Sequence, residues 1–303
     1  MDLRQLGTLV AIADHGSFSA AARALFTVQS NVSAHIAKLE RELGAVLIDR
    51  STGDLTVEGN LVVERARRIL HDIDDIASEI ASLDRRVSGE VRIGVIGTVA
   101  RWLMPGLLLR IGRTHPLVQT VVSEGSTSAL LPNVVSGLLH AAIVHLPVDE
   151  PELDVEPLFE EGLVLLSPLG HPLAEATDVT MADLADHSLL LPPVGSALRR
   201  ILDRAAAESG VVLRSQTEAD GVRLLATLAV EGHGPAIVPT TAIDRADGDS
   251  IRIATVDGLP QRTVGWVRRR RPNPSPATAG VRSVLHETLS ELVPEQVGVH
   301  TLG

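Results

Sequence analysis

One run of residues limits what this chain can fold into more than any other. Between Val62 and Leu83 the apolar side chains fall at Val62, Ala66, Ile69, Ile73, Ile76, Ile80 and Leu83, with no Gly or Pro between them. The spacing alternates four and three, the register of a coiled-coil seam. Arg65, Arg67, Arg68, Asp72, Asp74, Asp75 and Glu79 lie between, placed to face solvent or pair across the seam. A helix resting on its own domain would want a wider apolar stripe. The narrow seam predicts a second copy of the chain, as a homodimer or homotetramer, and divides the sequence into a short unit before it and a long one after.

The short unit carries three helical registers. Leu3, Leu6, Leu9/Val10 and Ala13 share one face of a first helix that ends at His15-Gly16. Ser17 or Ser19 caps a second, through Ala20, Ala21, Ala22 and Leu25, whose small side chains let another helix cross closely. Phe26-Thr27-Val28 is a turn. A third helix then spans Gln29 to Leu43, with Val32, Ile36, Leu39 and Leu43 as its apolar stripe and Gly44 closing it. Its other face presents Gln29, Ser30, Asn31, Ser33, His35 and Lys38, side chains suited to hydrogen-bonding base edges in the major groove. Val46–Arg50 and Leu55–Val57 read as two short strands around Ser51-Thr52-Gly53-Asp54, a compact wing. A generic three-helix core with a solvated polar face is the alternative. The three registers, the short turn and the following hairpin together favour a winged helix-turn-helix.

These residues resemble the LysR-type transcriptional regulators. The resemblance is carried by Leu3-Arg4-Gln5-Leu6, Gly16-Ser17-Phe18-Ser19-Ala20-Ala21-Ala22, Gln29-Ser30-Asn31-Val32-Ser33, Leu39-Glu40-Arg41-Glu42-Leu43-Gly44 and Leu55-Thr56-Val57-Glu58-Gly59, and extends over nearly the whole chain. It implies a multidomain protein: an all-α-rich winged helix-turn-helix at 1–57, a long coiled-coil linker helix at 58–87 that dimerises, and an α/β periplasmic-binding-protein-like (type II) effector domain at 88–303. That domain would have two subdomains, about 88–163 with 267–303, and about 164–266. Three positions depart from the family pattern: Ala34 stands where Arg is common, Ser30 where Pro is usual, and the wing is short, with Asp54 and no Lys or Arg. Ala34 and the wing each remove an expected phosphate contact, lowering affinity and its salt dependence. Arg50, at a strand end, is placed for an ion pair to Glu40 or Glu42.

Charge sharpens that point. The chain carries a net charge of -11, and residues 1–57 hold five Lys/Arg against six Asp/Glu. Global electrostatics therefore hold DNA weakly, and grip must come from joining two or more reading heads. The sequence has no cysteine, which excludes disulfide scaffolds, thiolate catalysis and Cys-based zinc or redox sites. No signal-peptide pattern opens the chain and no apolar run approaches the length of a membrane span, so the expected location is cytoplasmic, with no membrane partner.

After Ser88-Gly89, strands and helices alternate: strands at Glu90–Val95, Val118–Ser123, Ala141–Val144, Leu163–Ser167, Leu189–Leu191 and Ala236–Val238, and helices around Trp102–Ile111, Ser128–Leu139, Ser196–Ser209 and Gly221–Glu231. This predicts an α/β fold with parallel sheets. In such folds ligands sit where strand C-termini meet helix N-termini. Thr98, Ser126, Thr127 and Ser196 occupy such positions and suit an anionic group, although simple helix capping would also explain each one. The resemblance places the effector cleft here, between crossovers near Leu163–Ser167 and Thr263–Val267, with His145 and Trp266 as further candidates. Arg268-Arg269-Arg270-Arg271 is the one basic cluster, read as a solvated loop pairing with acidic patches.

The function expected is a ligand-responsive regulator that binds double-stranded promoter DNA, uses no cofactor or metal, and answers to a small, anionic co-inducer. RNA polymerase is a further partner this reading admits. The alternatives are an architectural DNA-binding protein without ligand response, or an α/β solute-binding protein or enzyme. No Gly-rich phosphate loop, G-x-S-x-G or His-x-x-x-His pattern supports catalysis, and no catalytic residue is assigned.

Overall fold

The computed structural model describes residues 1–83, 87–176, 178–243, 251–270 and 274–302. Along the helix Val57–Leu83, the side chains at 71, 74, 75 and 77–83 are not described. Ile80 and Leu83 of the expected seam thus lie outside the described side chains, and Arg271 lies outside the described residues. The chain divides into two compact units, the first essentially Met1–Gly89, the second Glu90–Val135 with Leu139–Gly303.

In the first unit, α1 (Leu3–His15), α2 (Phe18–Ala24) and α3 (Gln29–Leu43) enclose an aliphatic core. Asp2 and Gln5 form a reciprocal capping box on α1, and Ser17 caps α2 through the Ala20 amide at 3.1 Å. Leu9, Ala21, Val32 and Leu39 are wholly buried, and Leu47 and Ile48 join them from the wing. Leu43, by contrast, is exposed: the last turn of α3 runs past the core. The wing is smaller than the two strands expected. Its one bridge joins Ile48 to Leu55, and Val57 already begins the next helix because the Thr56 hydroxyl accepts from the Gly59 amide at 2.9 Å and starts it. Glu40 fastens the wing to α3. Its carboxylate accepts from the Leu47 amide at 2.9 Å and meets Arg50 at 3.4 Å, the structural pairing expected for that arginine.

Helix α4 (Val57–Leu83) serves two surfaces. Val63 and Ala66 are buried in the first unit's core, and Val62 packs against it partly buried. The chain's own core therefore covers Ala66, and the open apolar stripe begins at Ile69 and continues through Ile73 and Ile76, all exposed.

The second unit contains two mixed sheets. Its elements in chain order are β1 (Ser88–Val95), α5 (Gly97–Thr114), β2 (Leu117–Glu124), α6 (Thr127–Val135), β3 (Ala141–His145), β4 (Leu153–Glu161), β5 (Leu163–Pro168), α7 (Pro172–Glu175), β6 (Val179–Thr180), α8 (Met181–Ala185), β7 (Ser188–Leu191), α9 (Ala197–Glu208), β8 (Arg214–Glu218), α10 (Val222–Val230), β9 (Ala236–Pro239), β10 (Ile251–Ala254), β11 (Val256–Asp257), β12 (Arg262–Arg269), α11 (Pro276–Leu292) and β13 (Val299–Thr301). The first sheet runs β13-β4-β12-β3-β1-β2 and the second β10-β5-β9-β7-β8, with β11-β6 as a separate pair. The sheets are not purely parallel as expected. β1 and β3 pair in parallel, as do β7 with β8 and β9, but β12 lies antiparallel between β3 and β4, and β5 is antiparallel to β9.

The chain crosses between sheets twice, at Gly162 and between β11 and β12. The second crossing precedes Arg262 and does not lie within 263–267, because β12 belongs to the first sheet from its first residue. Arg268 and Arg269 of the basic run end β12 and Arg270 directly follows it, and Arg268 and Arg270 both pair with Asp154 of β4, at 2.8 and 3.1 Å. Among the described residues no helix is long and apolar enough to cross a membrane.

Two substitutions test the first unit. A Cβ at Gly59 would lie 2.0 Å from the Leu47 carbonyl oxygen, so Gly59→Ala is expected to destabilise this unit by about 1–3 kcal/mol in urea unfolding. Phe26 turns the chain at φ 52 with 98% of its surface exposed. Phe26→Asn, which tolerates that conformation and removes no packed ring, is expected to stabilise this unit by up to about 1 kcal/mol, read as a higher urea midpoint.

Candidate functional site

A cleft of about 420 Å³ lies between the two subdomains of the second unit, within the usual range for small-molecule sites. One wall comes from the first sheet's strand ends: Gly97 and Thr98 after β1, Glu124 at the end of β2 with Gly125, Ser126 and Thr127 after it, His145 at the end of β3, and Arg262 at the start of β12. The other comes from Pro192, Ser196 and the starts of α9 and α10, including Asp220 and Arg223.

The floor is built on Arg262, which is fully buried. Its Nε and Nη2 donate to one oxygen of Glu161 at 2.8 and 2.5 Å, Nη2 also to Thr98 Oγ1 at 2.7 Å, and Nη1 to His145 Nε2 at 2.5 Å. Arg262 and Glu161 are register partners on β12 and β4, at the two crossings. The second Glu161 oxygen accepts from the Thr241 amide at 2.8 Å and its hydroxyl at 2.6 Å, just beyond β9 of the other sheet. Burial pushes the Arg262 pKa down from its ordinary value and Glu161 pushes it back up. The guanidinium stays charged, since its free value is so high.

This geometry settles the state of His145. An arginine offers only donors, so Nε2 must accept and the proton sits on Nδ1. Burial first, and Arg262 second, hold the imidazole pKa well below 6.5, so the ring is neutral. The buried Nδ1 has no hydrogen-bond partner among the described residues.

Of the six residues expected in the cleft, Thr98, Ser126, Thr127, Ser196 and His145 line it, and Trp266 does not. Trp266 sits four residues into β12, opposite Ile143 and Glu156, and is buried in the sheet's core. The hydroxyls do different jobs. Ser196 caps α9 through the Arg199 amide at 3.3 Å, whereas Thr98 accepts from Arg262 and Thr127 from the His145 amide at 3.1 Å. Ser126 Oγ meets Ser128 Oγ at 2.9 Å. Arg262, Glu161, Glu124 and Arg223 escaped the sequence reading. The one hint was a lone arginine heading the apolar run Val264–Val267.

On α3, Gln29, Ser30, Asn31 and Lys38 are exposed, while Ser33 and His35 are half-buried. His35 Nδ1 lies 3.0 Å from Thr8 Oγ1, Asn31 donates to Thr27 Oγ1 at 3.0 Å, and Lys38 is 3.9 Å from Glu42. The first three residues thus form an open polar face at the helix start, and His35 is partly committed to the core.

Comparison with known proteins agrees with both units. The family model for bacterial regulatory helix-turn-helix proteins of the lysR family matches residues 3–60, and that for the LysR substrate binding domain matches residues 84–290. The chain is 32% identical over 274 residues to the DNA-binding transcriptional dual regulator OxyR of Escherichia coli K12, covering 89% of this chain and 90% of that one. It is 30% identical over 301 residues to a probable hydrogen peroxide-inducible genes activator of Streptomyces viridosporus, covering 97% and 93%. A solved full-length OxyR from Pseudomonas aeruginosa, carrying a cysteine-to-aspartate change, superposes with a TM-score of 0.76 at 26% identity, over 96% of this chain and 95% of that one. The chain belongs to the LysR family and is a DNA-binding, ligand-responsive transcriptional regulator.

Proposed function

We propose that this regulator reads promoter DNA with the open start of α3, chiefly Gln29, Ser30 and Asn31, with Ser33, His35 and Lys38 behind them. The stripe Ile69, Ile73 and Ile76 joins it to a second copy, and two weak heads on one frame bind as one strong site. The small molecule that controls it sits in the cleft, against Thr98, Ser126, Thr127, Ser196 and His145. The observation that carries this reading is the floor: a buried His145 Nδ1–H, without a hydrogen-bond partner among the described residues, beside an arginine-held threonine favours a ligand presenting hydrogen-bond acceptors. Thr98 and Thr127 spend their oxygens accepting from Arg262 and a backbone amide, and the hydrogen bonds described for them do not join either hydroxyl to a base. That arrangement suits binding without turnover.

A relative named for hydrogen peroxide induction raises peroxide as the input. This chain has no cysteine, so its response runs without thiol oxidation, and reversible binding is the proposed signal. Its place of action is the cytoplasm, where promoter DNA lies.

Footprinting of the upstream DNA with and without candidate metabolites, across a salt series, tests the regulator reading. A protected region that changes with one metabolite is expected; no protection even at low salt overturns it. On that DNA, Gln29→Ala is expected to lose about 1–3 kcal/mol of base discrimination. Thr98→Ala keeps the footprint and loses the metabolite response, which Thr98→Ser restores.

Neutral His145 also gives a pH dependence. Its contribution to stability is complete above the unfolded value of 6.5 and is lost as pH falls below it, because the unfolded chain takes up a proton that the folded one resists. His171, lowered by burial, has the same sign; Glu156, held low by Arg282, acts only below 4.5. The melting temperature should therefore drop between about pH 7 and about pH 5. His145→Gln, which keeps an acceptor for Arg262, should flatten most of that drop.

A further inference from the structure

The mouth of the cleft is bridged by an ion pair that joins its two walls. Glu124 ends β2 on the first subdomain, and Arg223 stands in the first turn of α10 on the second. Arg223 Nη2 donates to Glu124 Oε1 at 3.1 Å. Both side chains line the cleft and both are 48% exposed. The carboxylate can lie this far in because residue 97 has no side chain: a Cβ there would come 2.6 Å from Glu124 Oε1. Among the described residues, the cleft's other charged groups are Arg262 and Asp220. Arg262 already makes two hydrogen bonds to Glu161 and one each to Thr98 and His145. The Arg223 guanidinium is thus the cation in the cleft that a ligand can compete for, and what it must compete with is the protein's own carboxylate.

We propose that Arg223 is the anchor for an anionic group, carboxylate or phosphate, on the effector, and that Glu124 occupies this anchor until the effector displaces it. This rests on the reading of the cleft as the effector site and deepens it. The pair has the properties such a device needs. Half-exposed ion pairs are weak and screened, so an anion that also gains the hydroxyls of the floor can replace Glu124. A guanidinium presents the paired donors that a carboxylate or phosphate matches. Because the pair crosses from one subdomain to the other, exchanging Glu124 for a ligand removes one direct tie between them and substitutes contacts through the ligand. Occupancy of the anchor then becomes a change in how the subdomains are held.

Inorganic phosphate, as a bare anionic probe, tests the competition directly. Thermal unfolding of the full chain is followed against phosphate at constant ionic strength for the wild type, Glu124→Gln, Arg223→Gln and the double variant. Glu124→Gln is expected to show saturable stabilisation at roughly three- to fivefold lower phosphate than the wild type, since the anchor is no longer partly occupied. Arg223→Gln and the double variant are expected to show no saturable response. Equal titrations of Glu124→Gln and wild type, or a saturable response that survives Arg223→Gln, would overturn the proposal. No DNA is present, so a failure here leaves the footprint reading untouched, and a failed footprint leaves this titration interpretable.

Discussion

The buried pair between Arg262 and Glu161 is the contact on which the effector unit depends. Taking both charges out of water costs several kcal/mol, and the cost is offset only because almost every hydrogen-bonding position is used: Glu161 on Arg262 and Thr241, and Arg262 on Glu161, Thr98 and His145. These partners come from α5, β3, β4, β12 and the segment after β9. One ion pair therefore aligns the two chain crossings, ties the second subdomain to them through Thr241, and sets the hydrogen-bonding character of the cleft floor. Loss of either charge would leave its partner buried and unpaired, the costly case for such a pair.

The two ion pairs of the cleft differ in kind. Arg262–Glu161 is dry and fully coordinated, and it fixes geometry. Glu124–Arg223 is wet and made by one hydrogen bond, so it can exchange. A permanent pair at the hinge and an exchangeable one at the mouth give the unit a fixed axis and a replaceable fastening.

The first unit was readable from sequence because its information is local. The stripe Val32, Ile36 and Leu39, the cap at Ser17 and the stop at Gly44 all lie within a few turns of the helices they define. The cleft was half readable: hydroxyls after strands follow from the rule that ligands sit at strand ends, so Thr98, Thr127 and Ser196 were found. Arg262 and Glu161 were not, since they are 101 residues apart and neither has a local pattern. β4 was missed for a related reason. Its acidic residues Asp154 and Glu156 look unlike a buried strand until Arg268, Arg270, Arg282 and His286 arrive to pair with them. Helix α11 is a different case, for Ser275 and Pro276 gave a sound start signal that the reading passed over.

Helix α4 buries Ala66 in the reading head's core and opens its apolar stripe at Ile69, three residues later. The two surfaces share one rigid helix, so the angle between them is a matter of phase, advancing about 100° per residue. A partner laid along Ile69, Ile73 and Ile76 receives the head already aimed. Changing the number of residues between Ala66 and Ile69 would re-aim it without touching any residue that meets DNA. In the proposed dimer, the spacing of two half-sites would be set by that three-residue offset along the linker.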